Sequence, residues 1–503
     1  MVSADGSGVV GAGAERSGRA SVPLWATPAV TALIVLLLTT PRLIFAARHG
    51  LIGDETYYAL WSLYPGFGYY DHSPAVAWVI WLGRALFGEG QWPVRSLFVL
   101  ATFPICAALY RTARLLGGEA RVGAIAAISY AVTPAVAIST TIATPDAPST
   151  LFWVLAVWAI AEFVRGRNPN WWLAAGLFAG LGLLSKYTVV FLGAGILLYL
   201  VSSRERLPWL RLWQVWAGGA LALALFAPVV WIDWTRNWQS FRFQLGRSPV
   251  GERALHLDEL LRFFVEIGVQ LLPTLFVFAV LGIALFIGRR AKPLALPLLT
   301  AAPMLCYFIV HGMFGRVNPN WIAPIYPPLA LAGAWAAVHV RPDARWLRWP
   351  LDALKLLHVP AGVLLLVTAL GAVEFRALPG VGPVPLFGFF YGWDNLQAKI
   401  SRLAAENGAE WVDAQDYSLT GWLSYYGTMA GDPLPVRNPG NAYRYKFMPP
   451  VTEEMQAAPH LVVRYTRGNR VPKLEGATPL GIVTRDDADG TPLQPFAVYL
   501  RDE

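Results

Sequence analysis

The stretch Leu24–Ala47, LWATPAVTALIVLLLTTPRLIFAA, runs almost directly into Gly53–Val76, GDETYYALWSLYPGFGYYDHSPAV. The first stretch meets no charge until Arg42 and is long enough to cross a hydrocarbon core, which takes about 20 apolar residues. The second is the most polar and aromatic-rich loop of the N-terminal half, so it begins at a membrane surface. Asp54 and Glu55 stand at that exit, and Asp71 lies beside His72 and Pro74. Charged side chains at the edge of an apolar bundle are costly unless they have partners or chemistry to perform. This loop is therefore the first candidate for an active site.

The whole chain agrees with a membrane reading. Its 503 residues are 55% hydrophobic and 14% charged, where a soluble enzyme would carry about a quarter charged residues. The 22 tryptophans suit aromatic belts at membrane interfaces. A net charge of +8 invites a nucleic-acid partner, but the arginines come in small groups between apolar runs, as membrane topology requires. Cys106 and Cys306 both fall inside apolar segments, so neither a disulfide framework nor a metal-ligand spacing is implied. Residues 1–22 read as a disordered cytoplasmic N-terminus, and Leu24–Ala47 as a span and not as a cleavable signal.

Hydropathy predicts about eleven spans, near residues 25–47, 94–113, 121–141, 149–164, 171–185, 188–203, 212–232, 265–288, 294–312, 320–340 and 357–375. Basic clusters fall before the first span and in every even-numbered connection: Arg16 and Arg19, then Arg111, Arg114 and Arg121, then Arg165 and Arg167. The series continues with Arg204, Arg206 and Arg211, with Arg289, Arg290 and Lys292, and with Arg341, Arg345 and Arg348. A cytoplasmic N-terminus satisfies them all. The segment 171–203 reads either as two short spans or as one broken span. Two are preferred, because Lys186 then sits at an exit and not in mid-bilayer, where it would cost roughly 2.5–3.5 kcal/mol.

With this orientation the loop at 48–93, the tip at 142–148, Lys186, the loop at 233–264, the tip at 313–319 and the tail face one non-cytoplasmic side. Ala75–Phe87 has the pattern of a helix lying in the interface. Beyond Arg376 the charge density becomes ordinary; Leu461–Tyr465 and Phe496–Leu500 read as strands and Trp393–Glu406 as a helix. The expected fold class is thus an all-α polytopic membrane bundle of about eleven helices, residues 23–375, with interfacial helices in its first outer loop and a small periplasmic α/β domain at 376–503.

Several polar residues on that side carry chemical potential. Asp54 or Glu55 would serve as a general base toward an acceptor hydroxyl, or would simply cap a helix leaving the membrane. Asp146, between Pro145 and Pro148 at a tight connection, is a site residue or the cap of the next span. Lys186 would snorkel to headgroups or neutralise a lipid-linked phosphate, with His72 and Arg84 adding donors. Asp71 beside His72 would orient an imidazole. Asn320, in Arg316–Trp321, offers an amide to a sugar or phosphate oxygen, and no second histidine lies at ligand spacing to suggest a metal.

Together, Gly53-Asp54-Glu55-Thr56-Tyr57-Tyr58, Tyr69-Tyr70-Asp71-His72-Ser73-Pro74, Thr144-Pro145-Asp146-Ala147, Ser185-Lys186-Tyr187 and Pro319-Asn320-Trp321 resemble the integral-membrane GT-C glycosyltransferases. The nearest branch contains the rhizobial lipopolysaccharide galacturonosyltransferases, with aminoarabinose transferases and protein O-mannosyltransferases as relatives. The resemblance implies transfer of a sugar from a polyprenyl-phosphate carrier to a hydroxyl outside the bacterial cytoplasmic membrane. It makes Asp54 the base or an acceptor-positioning carboxylate and has Asp146 hold the acceptor or sugar; with neighbouring Glu55 these are the candidate catalytic carboxylates. His72, Lys186 and Arg84 become the donor-phosphate group, and Asp71, Tyr57, Tyr70 and Asn320 the residues holding acceptor or sugar. His72 stands where the aminoarabinose branch has a phosphate-binding lysine. Ser73 replaces a usual proline and Tyr57 an arginine of that branch, which speaks against aminoarabinose as the sugar.

The implied partners are the lipid-linked donor, a membrane-held glycolipid or protein acceptor and the bilayer, with no nucleic acid. No cofactor is called for, and a divalent metal has no support in the residues. Absence of a Gly-rich nucleotide loop agrees with a lipid donor. A transporter or flippase is the rival from another class, but it would show repeats and broken helices at matching positions in two halves. An inert scaffold or sensor would not need Asp54, Asp146 and Lys186 on one side.

Overall fold

A computed structural model describes residues 22–247, 254–378, 382–383, 385–466, 468, 471–487 and 489–502. The N-terminal stretch with Arg16 and Arg19 lies outside the described residues. Among the described residues, seven helices are long and apolar enough to cross a membrane, or eight with one bent pair, and four shorter apolar helices accompany them.

The bundle opens with α1, Pro28–Arg48. Thr31, Val35, Thr39, Arg42 and Ala46 form its buried stripe at helical spacing, while Leu33, Leu36, Leu37 and Ile44 face outward. Arg42 is fully buried and donates to Thr140 Oγ1 at 2.6 Å, Thr39 Oγ1 at 3.1 Å and Thr102 Oγ1 at 3.3 Å. Three threonine hydroxyls thus take the place of water at the two terminal nitrogens of the guanidinium.

The stretch 53–76, read above as a loop, contains a helix: α2, Gly53–Leu63, follows α1 and is buried on nearly all sides. Its first turn carries Asp54 and Glu55, where carboxylates complement the helix dipole. The next helix is α3, Ala75–Phe87, with the bounds expected. The second span is α4, Gln91–Leu100, continued by α5, Thr102–Gly117. The third is broken at Thr133-Pro134 into α6, Ala120–Ala131, and α7, Pro134–Ser139.

Helices α8 (Asp146–Gly166), α9 (Trp171–Ser185), α10 (Val190–Val201) and α11 (Trp213–Thr235) come next. Side contacts fix their directions. Phe163 of α8 meets Trp172 of α9, and Phe152 meets Gly182, so these two are antiparallel. Gly176 of α9 lies against Gly218 of α11, and Gly180 against Ala222. Both registers advance together, so α9 and α11 are parallel and the chain between them reverses.

Helix α12, Gln239–Gly246, lies in the connection between α11 and α13. The expected span 265–288 is instead two helices, α13 at Leu257–Gln270 and α14 at Pro273–Ile287, meeting at 109°. Pro273 drives Leu272 out of helical geometry, to φ +65°. Then follow α15 (Ala295–Phe314), a 3-10 stretch Pro319–Ile325, α16 (Tyr326–His339) and α17. Helix α17 spans Arg345–Phe375 and starts twelve residues before the expected 357, so Arg345 and Arg348 belong to its first turns.

The tail begins with a short antiparallel pair, β1 (Ala377–Leu378) and β2 (Gly382–Pro383). It continues as α18 (Trp393–Glu406), β3 (Trp411–Ala414), α19 (Tyr417–Met429), β4 (Val436–Arg437), α20 (Glu453–Ala457), β5 (His460–Tyr465), β6 (Thr478–Asp486) and β7 (Pro492–Arg501). Five strands form a mixed sheet in the order β4-β3-β5-β7-β6, parallel on the β3 side and antiparallel around β7. Val463 and Val498 face one core with Trp393 and Leu396, whereas Val462 and Tyr499 pack on the other face.

This tail is docked on the start of α2. A side chain at Gly53 would sit 2.7 Å from Ser418 Cβ, and one at Gly421 2.9 Å from Thr56 Oγ1, so α2 and α19 approach as only glycine allows. Trp422 Nε1 donates to the Leu51 carbonyl at 2.9 Å, and the Leu51 amide donates to Tyr426 Oη at 3.1 Å.

Candidate active site

A cavity of about 650 Å³ opens where α2, the start of α8, the α9–α10 junction, α12, the loop before α16 and the tail meet. Of the ten residues singled out from the sequence, seven line it: Asp54, Tyr57, Asp71, His72, Asp146, Lys186 and Asn320. They arrive from segments up to 266 residues apart in the chain, and the fold brings them to one wall.

Asp54 faces the open space. Its Oδ1 accepts from Tyr417 Oη at 2.8 Å. Burial in the surrounding protein raises its carboxyl above the ordinary value, with the Tyr417 hydrogen bond acting against the rise and neighbouring Glu55 adding to it. The same environment pushes the Tyr417 hydroxyl up to about 12, burial first and the Asp54 charge second. A carboxylate that is reachable and less acidic than usual is suited to accept a proton.

Asp146 and Lys186 form an ion pair of 2.5 Å and are 4% and 7% exposed. Asp146 Oδ2 also accepts from Asn320 Nδ2 at 3.1 Å and Thr144 Oγ1 at 3.3 Å. Lys186 has its backbone in extended geometry between α9 and a 3-10 turn, which aims its amine at the α8 N-terminus. The pair therefore ties three hairpins of the bundle together at the cavity wall.

Asp71 accepts from Arg444 Nη1 at 2.8 Å and from Tyr57 Oη at 2.9 Å, while its backbone carbonyl accepts from the Gln244 amide. Burial raises the Asp71 carboxyl, and Arg444 opposes that rise. His72 has no hydrogen-bond partner among the described residues. Burial, then the charges of Lys186, Arg247 and Arg444, bring its imidazole down to about 3. His72 is thus neutral at any physiological pH and offers a phosphate one N–H, not a charge.

The other three, Glu55, Arg84 and Tyr70, do not line the cavity. Glu55 is 0% exposed and turned away from the cavity, its two oxygens held by Arg95 at 2.5 and 2.6 Å and by the amides of Ile52 and Ala143. A carboxylate with every lone pair engaged by fixed donors is a structural tie between α2, α4 and the approach to α8. Arg84 is clamped by both oxygens of Glu89 and by Ser62. Tyr70 lies behind the wall, its ring against Phe243 and Tyr443.

Sequence reasoning missed Arg247, Arg444 and Tyr417. Arg247 projects into the cavity from the end of α12 over the rings of Phe243 and Trp321, at 4.6 and 5.9 Å, and forms no ion pair among the described residues. Arg444 and Tyr417 come from the tail, where nothing in the local sequence marks them beyond the aromatic run Tyr443-Arg444-Tyr445. Among the described residues no three His, Cys, Asp or Glu gather as a metal site.

Residues 71–232 match the family model for dolichyl-phosphate-mannose-protein mannosyltransferases. Over 402 residues the chain is 24% identical to the lipid A galacturonosyltransferase RgtD of Rhizobium johnstonii, covering 78% of this chain and 81% of that protein. It is 30% identical to the undecaprenyl phosphate-α-4-amino-4-deoxy-L-arabinose arabinosyl transferase of Pseudomonas aeruginosa, over 58% of this chain and 56% of the relative's length. The crystal structure of ArnT from Cupriavidus metallidurans bound to undecaprenyl phosphate superposes with a TM-score of 0.62, at 15% identity, over 93% of this chain and 97% of that one.

The fold is that of the ArnT structure, and the relatives matched by sequence are named glycosyltransferases. The cavity lies between the bundle and the tail, and Val190, Phe191, Leu245 and Phe308 add apolar surface to its lining.

Proposed function

We propose that the enzyme moves a sugar from a polyprenyl-phosphate carrier to a hydroxyl of a cell-envelope glycolipid, on the periplasmic face of the bacterial inner membrane, with inversion at the anomeric carbon. One observation carries this reading: Asp54 and the guanidinium of Arg247, which has no ion-pair partner among the described residues, line one cavity together with apolar side chains. That combination serves a base, an anionic leaving group and an isoprenoid chain together.

In this reading Arg247 holds the donor phosphate, because Arg444 is committed to Asp71 and Lys186 to Asp146. The His72 N–H adds a neutral donor, and Lys186 contributes its field from the wall. As the sugar–phosphate bond breaks, negative charge builds on the lipid phosphate, and fixed donors lower that barrier without reorganising. Asp54 takes the proton of the acceptor hydroxyl on the opposite face of the sugar. Asp146, through Asn320, orients the sugar or acceptor. Holding two membrane-bound reactants in one chamber supplies much of the remaining acceleration.

The finer topology is part of the proposal: eleven crossings, a cytoplasmic N-terminus, a membrane domain at 23–375 and a periplasmic domain at 376–503. The parallel run of α9 and α11 supports two crossings in 171–203, and the arginine clusters at the end of the bundle away from Asp54 support the orientation.

Mass spectrometry of envelope glycolipids and glycoproteins from cells with and without the gene tests the reading. Loss of one hexose- or pentose-sized mass from a glycolipid supports it. An unchanged glycolipid profile with a lost sugar on protein serine or threonine would replace the acceptor class.

A further inference from the structure

A second polar cavity, about 480 Å³, lies at the end of the bundle opposite the reaction chamber, between the turn before α1, the start of α6, the end of α16 and the start of α17. Its charged lining is Arg121, Arg341, Arg348 and Lys355 against the single carboxylate Asp352. Lys355 pairs with Asp352 at 3.1 Å. The three guanidiniums have no carboxylate partner among the described residues; Arg348 only donates to the Pro342 carbonyl at 3.3 Å. Arginine forks converging without an anion form a receptor for an oxyanion.

The depth of this cavity says which oxyanion. Trp25 lines it and is 41% exposed, and Trp346 and Trp349, on the first turns of α17, are each 75% exposed. Exposed indoles at the end of membrane helices sit at headgroup level. The 21-residue α1 separates this level from the Asp54 end by about 30 Å, the thickness of a hydrocarbon core. Ile125, Val338 and Leu351 complete the lining with apolar surface suited to the glycerol and upper acyl carbons of a lipid.

We infer that this cavity is a binding site for the phosphate headgroup of an anionic bilayer phospholipid in the leaflet opposite the reaction chamber. Basic pockets between transmembrane helices recognise lipid phosphates in this way. Such a lipid ties α6, α16 and α17 together through one headgroup, at the end of the bundle where these helices carry unbalanced positive charge. The inference needs only that the chain lies in a bilayer, not that it transfers a sugar.

Native mass spectrometry of the full-length protein tests it, with phosphatidylglycerol and phosphatidylcholine offered in equal amounts after delipidation. The wild-type protein is expected to retain phosphatidylglycerol preferentially, and Asp54→Asn to do the same. The triple variant Arg121→Gln, Arg341→Gln, Arg348→Gln should weaken retention by about a hundredfold, from roughly fivefold per guanidinium. The lysine triple variant, which keeps the charges, should restore most of it and shows that the glutamine effect is not misfolding. Equal retention of the two lipids by the wild-type protein overturns the inference. So does retention by the glutamine variant equal to wild type, or displacement of the lipid by millimolar inorganic phosphate, which would make the site one for a soluble anion.

Discussion

Tyr417 of the tail donates its hydroxyl to Asp54 of α2 at 2.8 Å, across 363 residues of chain. The C-terminal tail thus reaches the cavity and holds the proposed base in place. It also stabilises the charged form of a carboxyl that burial would otherwise leave protonated to higher pH.

Tyr417→Phe removes that donor, so the Asp54 carboxyl should rise further. Because transfer needs Asp54 ionised, the acid limb of the kcat/KM profile should move to higher pH, with a loss of roughly tenfold at mildly acidic pH and little change at alkaline pH. The pH profile of purified Tyr417→Phe, beside wild type, checks this. His72→Gln should leave the position of the limb unchanged, since burial and the nearby cations push the His72 imidazole down to about 3 and keep it neutral in the working range.

Arg247→Gln should raise KM for the lipid donor and lower kcat/KM by roughly 10- to 100-fold, the worth of a hydrogen bond to a charged group. The melting temperature should stay put, because Arg247 has no ion-pair partner to lose among the described residues. Steady-state kinetics with a short-chain polyprenyl donor, together with a thermal melt, separates the two effects.

Glu55→Gln is expected to behave in the opposite way. Glu55 and Arg95 are both 0% exposed and joined at 2.5 Å, and breaking a buried pair costs about 3–5 kcal/mol. Low yield and a much lower melting temperature should appear, whereas Asp54→Asn should express and melt like wild type. A Glu55→Gln protein that is stable yet inactive would return Glu55 to the chemistry.

For Asp146 and Lys186, removing one partner leaves a buried charge. Lys186→Met alone should destabilise the fold, and Asp146→Asn with Lys186→Met should regain much of that stability without regaining transfer. Melting curves and activity of the three variants form the cycle that measures this.

What was readable in the sequence follows from where the information is local. Apolar runs announce spans by length alone, and Ala75–Phe87 and Trp393–Glu406 matched their elements because period and breakers agreed. The bend at Leu272-Pro273 was missed because hydropathy averages across a proline that joins an amphipathic helix to an apolar one. Gly53–Leu63 passed for a loop because a helix buried on every side, here partly by the tail, shows no polar face. Within the site, adjacent Asp54 and Glu55 are indistinguishable in sequence, yet successive positions on a helix point about 100° apart. One therefore meets the cavity and the other meets Arg95. Tyr417 and Arg444 were illegible for a different reason: their roles exist only once the tail docks on α2.

The most direct measurement is transfer by Asp54→Asn in membranes supplied with a labelled polyprenyl-phosphate sugar, with the anomeric configuration of the wild-type product determined alongside. Wild type is expected to give an inverted product. Asp54→Asn should bind the donor as tightly and transfer no sugar. Transfer at the wild-type rate by Asp54→Asn, or a product of retained configuration, would contradict a single displacement with Asp54 as its base.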